Sequence, residues 1–196
     1  LWCKLDLPQN KKIGVVTYHP VTLEKDTCII QISELLMALE GFLDVFWVFT
    51  AANADTEGRV IMRKIDEFVK KNPEKNKIFI SLGQLKYLSL LKHTSVMVGN
   101  SSSGIVEAAS FELPVVNIGE RQEGRIRTKN IIDVPKCDRK AIEHGIEKAL
   151  SKEFRNSLQG MQSPYGDGSA SERIIKELKE ISLCENLLKK KFYDIQ

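Results

Sequence analysis

The sequence has no long apolar run, few cysteines and little net charge, and each shortage excludes a class of protein. No stretch approaches the roughly 20 apolar residues that a membrane-spanning helix needs, and no signal-peptide pattern opens the chain. The four cysteines, Cys3, Cys28, Cys137 and Cys184, lie far apart without a C-x-x-C pair, which argues against a disulfide scaffold or a zinc finger. We therefore expect reduced thiols, a cytoplasmic protein and no membrane contact.

Charge and size narrow the class further. A net charge of +3, from 29 basic and 26 acidic residues, is too small to indicate nucleic-acid binding. With 196 residues, 42% of them hydrophobic, the composition is that of one large globular α/β domain. Because the chain begins at Leu1 and a linker-like stretch precedes the first predicted strand, we expect a piece of a longer protein. Its predicted parts are a linker (1–12), a domain (13–181) and a helical tail (182–196).

Short β-branched runs alternate with helical patterns along most of the chain. The predicted strands are Ile13–Tyr18, Val45–Phe49, Lys77–Ile80, Ser95–Val98 and Pro114–Asn117. The predicted helices are Glu24–Leu39, Val60–Val69, Tyr87–Leu91, Gly104–Phe111, Ala141–Leu150, Ser169–Ile181 and Leu183–Phe192. This order predicts an α/β, Rossmann-like doubly wound parallel sheet. Its ligand would lie at the carboxyl ends of the strands, near the loops after Tyr18, Val98 and Val116.

A loop of small residues, the serine loop (residues 99–104), joins the fourth predicted strand to a helix. Backbone N–H groups at a helix start are unsatisfied and attract anions, and the hydroxyls of Ser101 and Ser102 are further donors. The loop therefore suits a phosphate group. Helix capping by the serines is the structural alternative, and the loop alone does not decide between the two.

Two known phosphate and hydrolase patterns do not fit this loop. The spacing from Gly99 to Gly104 is that of a P-loop, but Ile105 and Val106 stand where Lys and Ser or Thr are required. Asn100 breaks the G-x-S-x-G pattern of a hydrolase nucleophile. A Walker-type NTPase and a serine hydrolase are therefore disfavoured.

Charged residues flank the serine loop in the sequence. Glu107 stands too far along to complete a capping box with Ser103, and a carboxylate can accept hydrogen bonds from both hydroxyls of a ribose. The basic loop (residues 117–129) carries Arg121 among its cations, and guanidinium groups bind phosphate oxygens in a bidentate fork. A solvated surface is the alternative for both features.

His19 ends the first predicted strand and could contact a phosphate or transfer a proton. His93 and His144 lie in helical patterns and are interpreted as structural. The sequence contains no evident carboxylate pair of the glycosidase kind and no metal-ligand cluster, so we expect neither a metal nor a cofactor. The catalytic chemistry is incomplete within this chain.

Three motifs together resemble one family. YHPVTLEKD (18–26), GNSSSGIVEAASFELPVVNIGERQEGR (99–125) and SPYGDGSASERI (163–174) are similar, in order and spacing, to hydrolysing UDP-N-acetylglucosamine 2-epimerases. The resemblance covers residues 13–181 and corresponds to the C-terminal half of that family. It implies one half of a two-domain fold like that of GT-B glycosyltransferases, with the UDP-sugar bound in the cleft between the halves.

The resemblance also implies roles for individual residues. His19, Ser101, Ser102, Glu107 and Arg121 match the family's UDP contacts, with the serines and the arginine on the diphosphate and the glutamate on the ribose. The backbone of residues 82–85 would face the uracil. The implied reaction is anti-elimination of UDP followed by hydration, and its carboxylates come from the N-terminal half. His19 is the one residue here that would join the proton chemistry.

Several alternatives stay open within and beyond this resemblance. The sugar is either N-acetylglucosamine or a 2,4-diacetamido-trideoxyglucose, leading to precursors of sialic acid or of legionaminic-type sugars. The N-terminal domain is expected to belong to the same protein. At full length that protein is expected to form a homodimer or homotetramer. The donor half of a GT-B glycosyltransferase and a non-enzymatic UDP-sugar sensor are the competing functions.

Overall fold

The computed structural model describes residues 2–21, 27–52 and 57–182 and forms two compact units, Leu1–Pro164 and Tyr165–Gln196. The strands of the first unit are β1 (Lys12–Thr17), β2 (Val45–Thr50), β3 (Asn76–Phe79), β4 (Val96–Gly99), β5 (Val115–Ile118) and β6 (Ile131–Val134). Its helices are α1 (Trp2–Leu5), α2 (Cys28–Glu40), α3 (Gly58–Lys71), α4 (Gly83–His93), α5 (Ser102–Val106), a 3-10 helix (Ala108–Phe111), α6 (Arg139–Leu150) and α7 (Lys152–Ser157). The second unit contains α8 (Ala170–Glu180).

The six strands form one sheet in the order β3-β2-β1-β4-β5-β6, and every neighbouring pair is parallel. Val15 of β1 pairs with Val48 on one side and Met97 on the other. Strands of a parallel sheet that is covered on both faces are continuous apolar runs, and β1, β2 and β4 have that character. The predicted α/β, doubly wound parallel sheet is confirmed.

Helices cover both faces of the sheet and bury two apolar clusters. One cluster joins Trp47 and Phe49 to buried residues of α2, α3 and α6: Ile32, Leu35, Ile61, Ile65, Ile142 and Ile146. The other joins Phe46, Val48 and Met97 to Leu90 and Leu91 of α4. Burial of these side chains is the main stabilising contribution to the first unit.

One close contact within the first cluster requires a glycine in β1. A Cβ atom built on Gly14 would lie 2.1 Å from Cζ3 of Trp47. The indole ring is buried, and its Nε1 donates a hydrogen bond of 3.2 Å to the carbonyl of Leu39. Because the ring is held by its neighbours, it has little room to move away from a larger residue at position 14.

The side of β1 on which successive strands are added changes between β3 and β4. After β1 the chain builds β2 and β3 on one side, and α4 then leads back to β4 on the other side of β1. Thr17 at the end of β1 pairs with Gly99 of β4, and Gly99 pairs with Asn117 of β5. The ends of these three strands therefore meet where the strand order reverses, which is the position of ligands in such sheets.

Several predicted elements differ from the observed ones. The sixth strand, Ile131–Val134, was absent from the prediction because Asp133 interrupts its short apolar run and only Val134 is buried. The predicted helix Gly104–Phe111 starts at Ser102 and changes to a 3-10 helix after Glu107. The predicted short helix Tyr87–Leu91 is part of a longer helix, Gly83–His93. Its first turn was missed because that turn is exposed and has no apolar periodicity.

The two ends of the chain were assigned to a linker and a tail. Within residues 1–12, α1 is helical and Leu5 and Leu7 are buried against the second cluster, whereas a linker role for this stretch stays a prediction. The predicted helix Leu183–Phe192 and the tail 182–196 lie outside the described residues, apart from residue 182. Of the helices in the described ranges, none has the length and apolar character needed to cross a membrane.

Candidate functional site

Asn100 joins the ends of β1 and β4. Its side-chain Oδ1 accepts a hydrogen bond of 2.7 Å from the backbone N–H of His19, and its Nδ2 donates one of 2.8 Å to the carbonyl of His19. Its own backbone N–H donates to the carbonyl of Thr17 at 3.2 Å. Asn100 is fully buried and His19 is 7% exposed. The histidine is therefore held at a fixed place beside the first residues of the serine loop.

Gly99 allows this close approach of the two strand ends. Its φ angle is 136°, which side-chain-bearing residues rarely adopt, and a Cβ built on it would lie 2.0 Å from the carbonyl oxygen of Thr17. Only glycine can bring the backbone of β4 this near to β1. The loop that follows starts from this point.

The serine loop makes internal contacts as well as offering donors. Ser101 is the N-cap of α5, and its hydroxyl accepts from the backbone N–H of Ser103 at 3.3 Å. The hydroxyl of Ser103 accepts from the Tyr87 hydroxyl of α4 at 2.8 Å. The capping interpretation of Ser101 is therefore correct, although a cap does not exclude phosphate binding. Since α5 has only five residues, its dipole is small, and local N–H and hydroxyl groups are the main donors for an anion.

Glu107 terminates α5 and precedes the 3-10 helix. Its side chain is half-buried. Burial raises the pKa of Tyr87, the hydrogen bond with Ser103 opposes that rise, and the negative charge of Glu107 adds to it. Tyr87 thus stays a neutral hydroxyl that links α4 to Ser103 of the serine loop, with Glu107 nearby.

The basic loop folds back onto the serine loop. Nη1 of Arg121 donates to the backbone carbonyl of Asn100 at 3.2 Å, and Nε2 of Gln122 donates to the same oxygen at 2.8 Å. Gln122 is buried, and its Oε1 has no hydrogen-bond partner among the described residues. These contacts bring Arg121 next to His19 and the serines, as the sequence motifs require for a shared site.

A second arginine of the basic loop has a structural task. Arg127 donates through Nη1 to the carbonyls of Gln122 and Arg125, at 2.7 and 3.0 Å. Its Nε lies 3.2 Å from both carboxylate oxygens of Asp133 in β6. Arg127 therefore fixes the shape of the basic loop. Arg125 and Lys129 are exposed.

Most of the predicted site residues come together at one edge of the sheet. His19, Ser101 and Arg121 converge through Asn100, Ser102 begins α5, and Glu107 lies at its end. The segment 82–85 forms the start of α4, and Tyr87 of the same helix reaches Ser103. His93 and His144 lie at the end of α4 and in α6, outside this group. Within the described ranges, no three acidic, histidine or cysteine side chains are grouped as a metal site would require.

Three residues of this arrangement were missed from the sequence: Asn100, Tyr87 and Gln122. Asn100 was considered only as a residue that breaks a hydrolase motif, although a polar residue directly after a buried strand was itself a signal. Tyr87 and Gln122 gave no signal, because their contacts are made with segments distant in the sequence.

Comparison with known proteins supports a single family. The model of the UDP-N-acetylglucosamine 2-epimerase family matches residues 4–179. A Campylobacter jejuni protein described as a GDP/UDP-N,N'-diacetylbacillosamine 2-epimerase (hydrolyzing) is 41% identical over 97% of this chain and 49% of its own length. A Neisseria meningitidis UDP-N-acetylglucosamine 2-epimerase is 33% identical over 70% of this chain and 35% of its own length.

Solved structures show the same fold. The S. aureus MnaA–UDP co-structure superposes with a TM-score of 0.69 at 17% identity and covers 100% of this chain and 50% of its own. A UDP-GlcNAc 2-epimerase structure from Methanocaldococcus jannaschii superposes with a TM-score of 0.61 at 18% identity and covers 86% of this chain and 45% of its own. The chain likewise spans about half the length of the curated relatives it matches.

Proposed function

Because the chain belongs to the UDP-N-acetylglucosamine 2-epimerase family, we propose that it forms the UDP-binding half of a hydrolysing UDP-sugar 2-epimerase. The observation that carries this proposal is the junction at Asn100, where His19, the serine loop and Arg121 meet at the reversal of strand order. A diphosphate needs several donors near one another. This junction supplies a guanidinium, hydroxyls and backbone N–H groups at one edge.

Each site residue has a role suited to its chemistry. We assign Ser101, Ser102 and Arg121 to the diphosphate, since hydroxyl and guanidinium donors bind phosphate oxygens. Glu107 would accept hydrogen bonds from the two ribose hydroxyls, and the first turn of α4 would offer its backbone to the uracil. His19 would contact a phosphate or move a proton at the sugar. Arg127 is assigned to the loop and not to the ligand.

The proposed reaction has two steps. In the first, the proton on C2 of the sugar is removed and the bond from C1 to the UDP oxygen breaks, which leaves a 2-acetamidoglucal. In the second, water supplies a hydroxyl to C1 and a proton is added to the opposite face of C2, which inverts that carbon. With UDP-N-acetylglucosamine the products are N-acetylmannosamine and UDP. UDP departs with additional negative charge, which Arg121 and the serine donors would stabilise.

This half would work together with another domain. The carboxylates that move the C2 proton are assigned to an N-terminal domain of the same protein, which would close over the UDP-sugar from the other side. We also propose that the full-length protein assembles as a homodimer or homotetramer. In isolation the present chain would bind UDP and leave the sugar unchanged.

Two substrates fit the family. UDP-N-acetylglucosamine is the first, and it is the sugar in the name of the Neisseria relative. A UDP-2,4-diacetamido-trideoxyglucose is the second, since the 41% identical Campylobacter relative is described as a GDP/UDP-N,N'-diacetylbacillosamine 2-epimerase and that sugar is a 2,4-diacetamido-trideoxyglucose. Both carry UDP and a 2-acetamido group, so the residues assigned above would serve either. The positions where the sugars differ would be recognised by the N-terminal domain.

Product analysis tests the reaction. The full-length protein that contains this chain is incubated in D2O with each UDP-sugar in turn, without an acceptor, and the products are followed by NMR. We expect free UDP and a free 2-epimeric sugar that carries deuterium at C2, and the faster substrate identifies the sugar. In a parallel incubation with a sugar acceptor, glycoside formation without release of the free 2-epimer would instead indicate a GT-B glycosyltransferase. A 2-epimer still attached to UDP would contradict the hydrolysing reaction.

Calorimetry tests the role of this half. The 196-residue chain is titrated with UDP and assayed separately for turnover of both UDP-sugars. We expect binding of UDP without turnover. Failure to bind UDP would refute the assignment of the site, and epimerisation by the chain alone would refute the need for a second domain.

A further inference from the structure

We propose that Asn100 is a positioning residue of the UDP site, and this proposal rests on the proposed function. It does not need to touch UDP itself. Its side chain fixes the backbone of His19, and its main-chain carbonyl fixes Arg121, so that both groups stand in place before UDP arrives.

The side-chain geometry supports this role. The amide of Asn100 makes a paired contact with His19, accepting at 2.7 Å and donating at 2.8 Å across 81 residues of sequence. An amide is the one short side chain that both donates and accepts in a single plane, so neither aspartate nor leucine can replace both bonds. Because the asparagine is fully buried, no water competes for these groups.

The main-chain carbonyl of Asn100 has a complementary task. It accepts from Nη1 of Arg121 at 3.2 Å and from Nε2 of Gln122 at 2.8 Å. Arg121 uses one nitrogen of its fork here, which leaves other guanidinium N–H groups for a phosphate. The residue thereby connects loops from three neighbouring strands, β1, β4 and β5. Preorganised donors of this kind need no rearrangement when the anion binds.

A comparison with another buried asparagine separates the role of Asn100 from ordinary core packing. Asn76 is a second buried asparagine, at the start of β3, and its Nδ2 donates at 3.0 Å to the carbonyl of Asn72 only four residues earlier. That contact is local and lies at the opposite end of the strands. Asn76 therefore provides a control for the loss of a buried amide away from the site, with one hydrogen bond in place of two.

The first test compares UDP affinity by calorimetry in the 196-residue chain. We expect Asn100→Ala to weaken UDP binding at least about tenfold and Asn76→Ala to leave it within about twofold of the unmodified chain. Equal affinity of the Asn100→Ala chain and the unmodified chain would overturn the proposal. Equal losses in both variants would also overturn it, since a general loss of stability would then explain the effect. If the unmodified chain fails to bind UDP, the proposed function fails instead.

The second test asks whether Asn100 acts through His19. The Asn100→Ala change is repeated in a chain with His19→Ala, where the imidazole is gone. We expect the loss of UDP affinity caused by Asn100→Ala to shrink to less than about threefold in that background, because the group it positions is absent. Independent, additive losses would contradict a positioning role.

Imidazole NMR provides a readout that a change in folding alone would not produce. The chain has three histidines, so the Cε1–H resonance of His19 can be assigned with the His19→Ala variant. We expect Asn100→Ala to shift or broaden this resonance while those of His93 and His144 stay unchanged. Asn100→Asp keeps the shape and the acceptor but lacks the donor to His19, and it should give the same selective shift if the alanine variant is unfolded. An unchanged His19 resonance in a folded variant would overturn the proposal.

Discussion

Arg121 and Glu107 are the two charged side chains on which UDP affinity should depend most directly. Under the proposed assignment, Arg121→Ala would remove a guanidinium from the diphosphate, and Glu107→Ala would remove the acceptor for the ribose. Each change should weaken UDP binding by roughly 1.5–3 kcal/mol, the range for a hydrogen bond to a charged group. Calorimetry with the 196-residue chain measures both. Arg63→Ala, at an exposed position of α3, is the control. Unchanged affinity in both site variants would refute the assignment.

Substitution of alanine for Gly14 and for Gly41 should change the free energy of unfolding in opposite directions. Gly14→Ala places a methyl group 2.1 Å from the buried indole of Trp47 and should lower the free energy of unfolding by about 1–3 kcal/mol. Gly41 follows α2 with φ of −68°, and a methyl group there meets nothing nearer than 3.6 Å. Gly41→Ala should therefore stabilise the chain by about 0.4–1 kcal/mol. Urea denaturation measures both, and equal effects would contradict the packing described.

The sequence predicts which residues lie near one another better than it predicts the hydrogen bonds between them. That His19, the serines and Arg121 lie at one edge of the sheet could be predicted, because they follow strands whose ends must meet there. The paired bonds between Asn100 and His19 could not, because they depend on the exact distance between the ends of β1 and β4. That distance depends on the φ angle of Gly99, and the sequence shows that position 99 is a glycine but not which angle it adopts.

Among the elements, the basic loop owes its shape to Arg127 and Asp133. Asp133→Asn breaks an ion pair whose side chains are partly exposed, so the free energy of unfolding should fall by no more than about 1 kcal/mol. Trypsin should nevertheless cleave within residues 119–129 faster, because a neutral amide holds the Arg127 guanidinium less strongly and loosens the attachment of the loop to β6. Asp66→Asn breaks the exposed pair with Lys70 in α3 and serves as control. Equal cleavage rates of the loop in all three proteins would contradict this role.

In the second unit, Asp167 should titrate at an unusually low pH. The backbone N–H of Ser169, and then the Arg173 guanidinium at 3.1 Å, lower the pKa of this carboxyl from 3.8 to about 2. These contacts favour the folded segment above pH 3.8, and their contribution is lost as the pH falls through about 2. Arg173→Gln should raise the pKa only partly, since Ser169 remains. Carboxyl NMR titration measures it, and an unchanged pKa would contradict the pairing.

The prediction of helices and strands succeeded where the apolar pattern was long and regular, and it failed where the element was short or its apolar run was interrupted. Helices α2 and α3 follow from apolar positions at helical spacing, because one face of each packs on the sheet. The strand β6 contains Asp133 and buries only Val134, so it lacks the continuous apolar run that predicted the equally short β4, and the six residues of α7 are too few for a helical period to be distinguished. The break between α5 and the 3-10 helix has no local signal, and the sequence predicted one helix there.

For the whole molecule, resistance to hydrogen exchange should fall from the centre of the sheet to its edges. Val15 and Val16 of β1 are fully buried between β2 and β4, whereas Ile131 and Ile132 of the edge strand β6 are only half-buried. Amides of β1 should require global unfolding to exchange, and those of β6 should exchange at least about tenfold faster. Mass spectrometry of exchanged peptides measures this. Equal protection of the two strands would contradict it.

The two outer strands carry a further consequence for how the chain behaves at high concentration. An unpaired strand edge can recruit another chain and start aggregation. Here β3 and β6 have only four residues each, β3 contains Lys77, and β6 contains Asp133. Short length and a charge in each strand make these edges poor templates for intermolecular pairing. Replacement of Lys77 by valine should increase self-association at high concentration, which light scattering would measure.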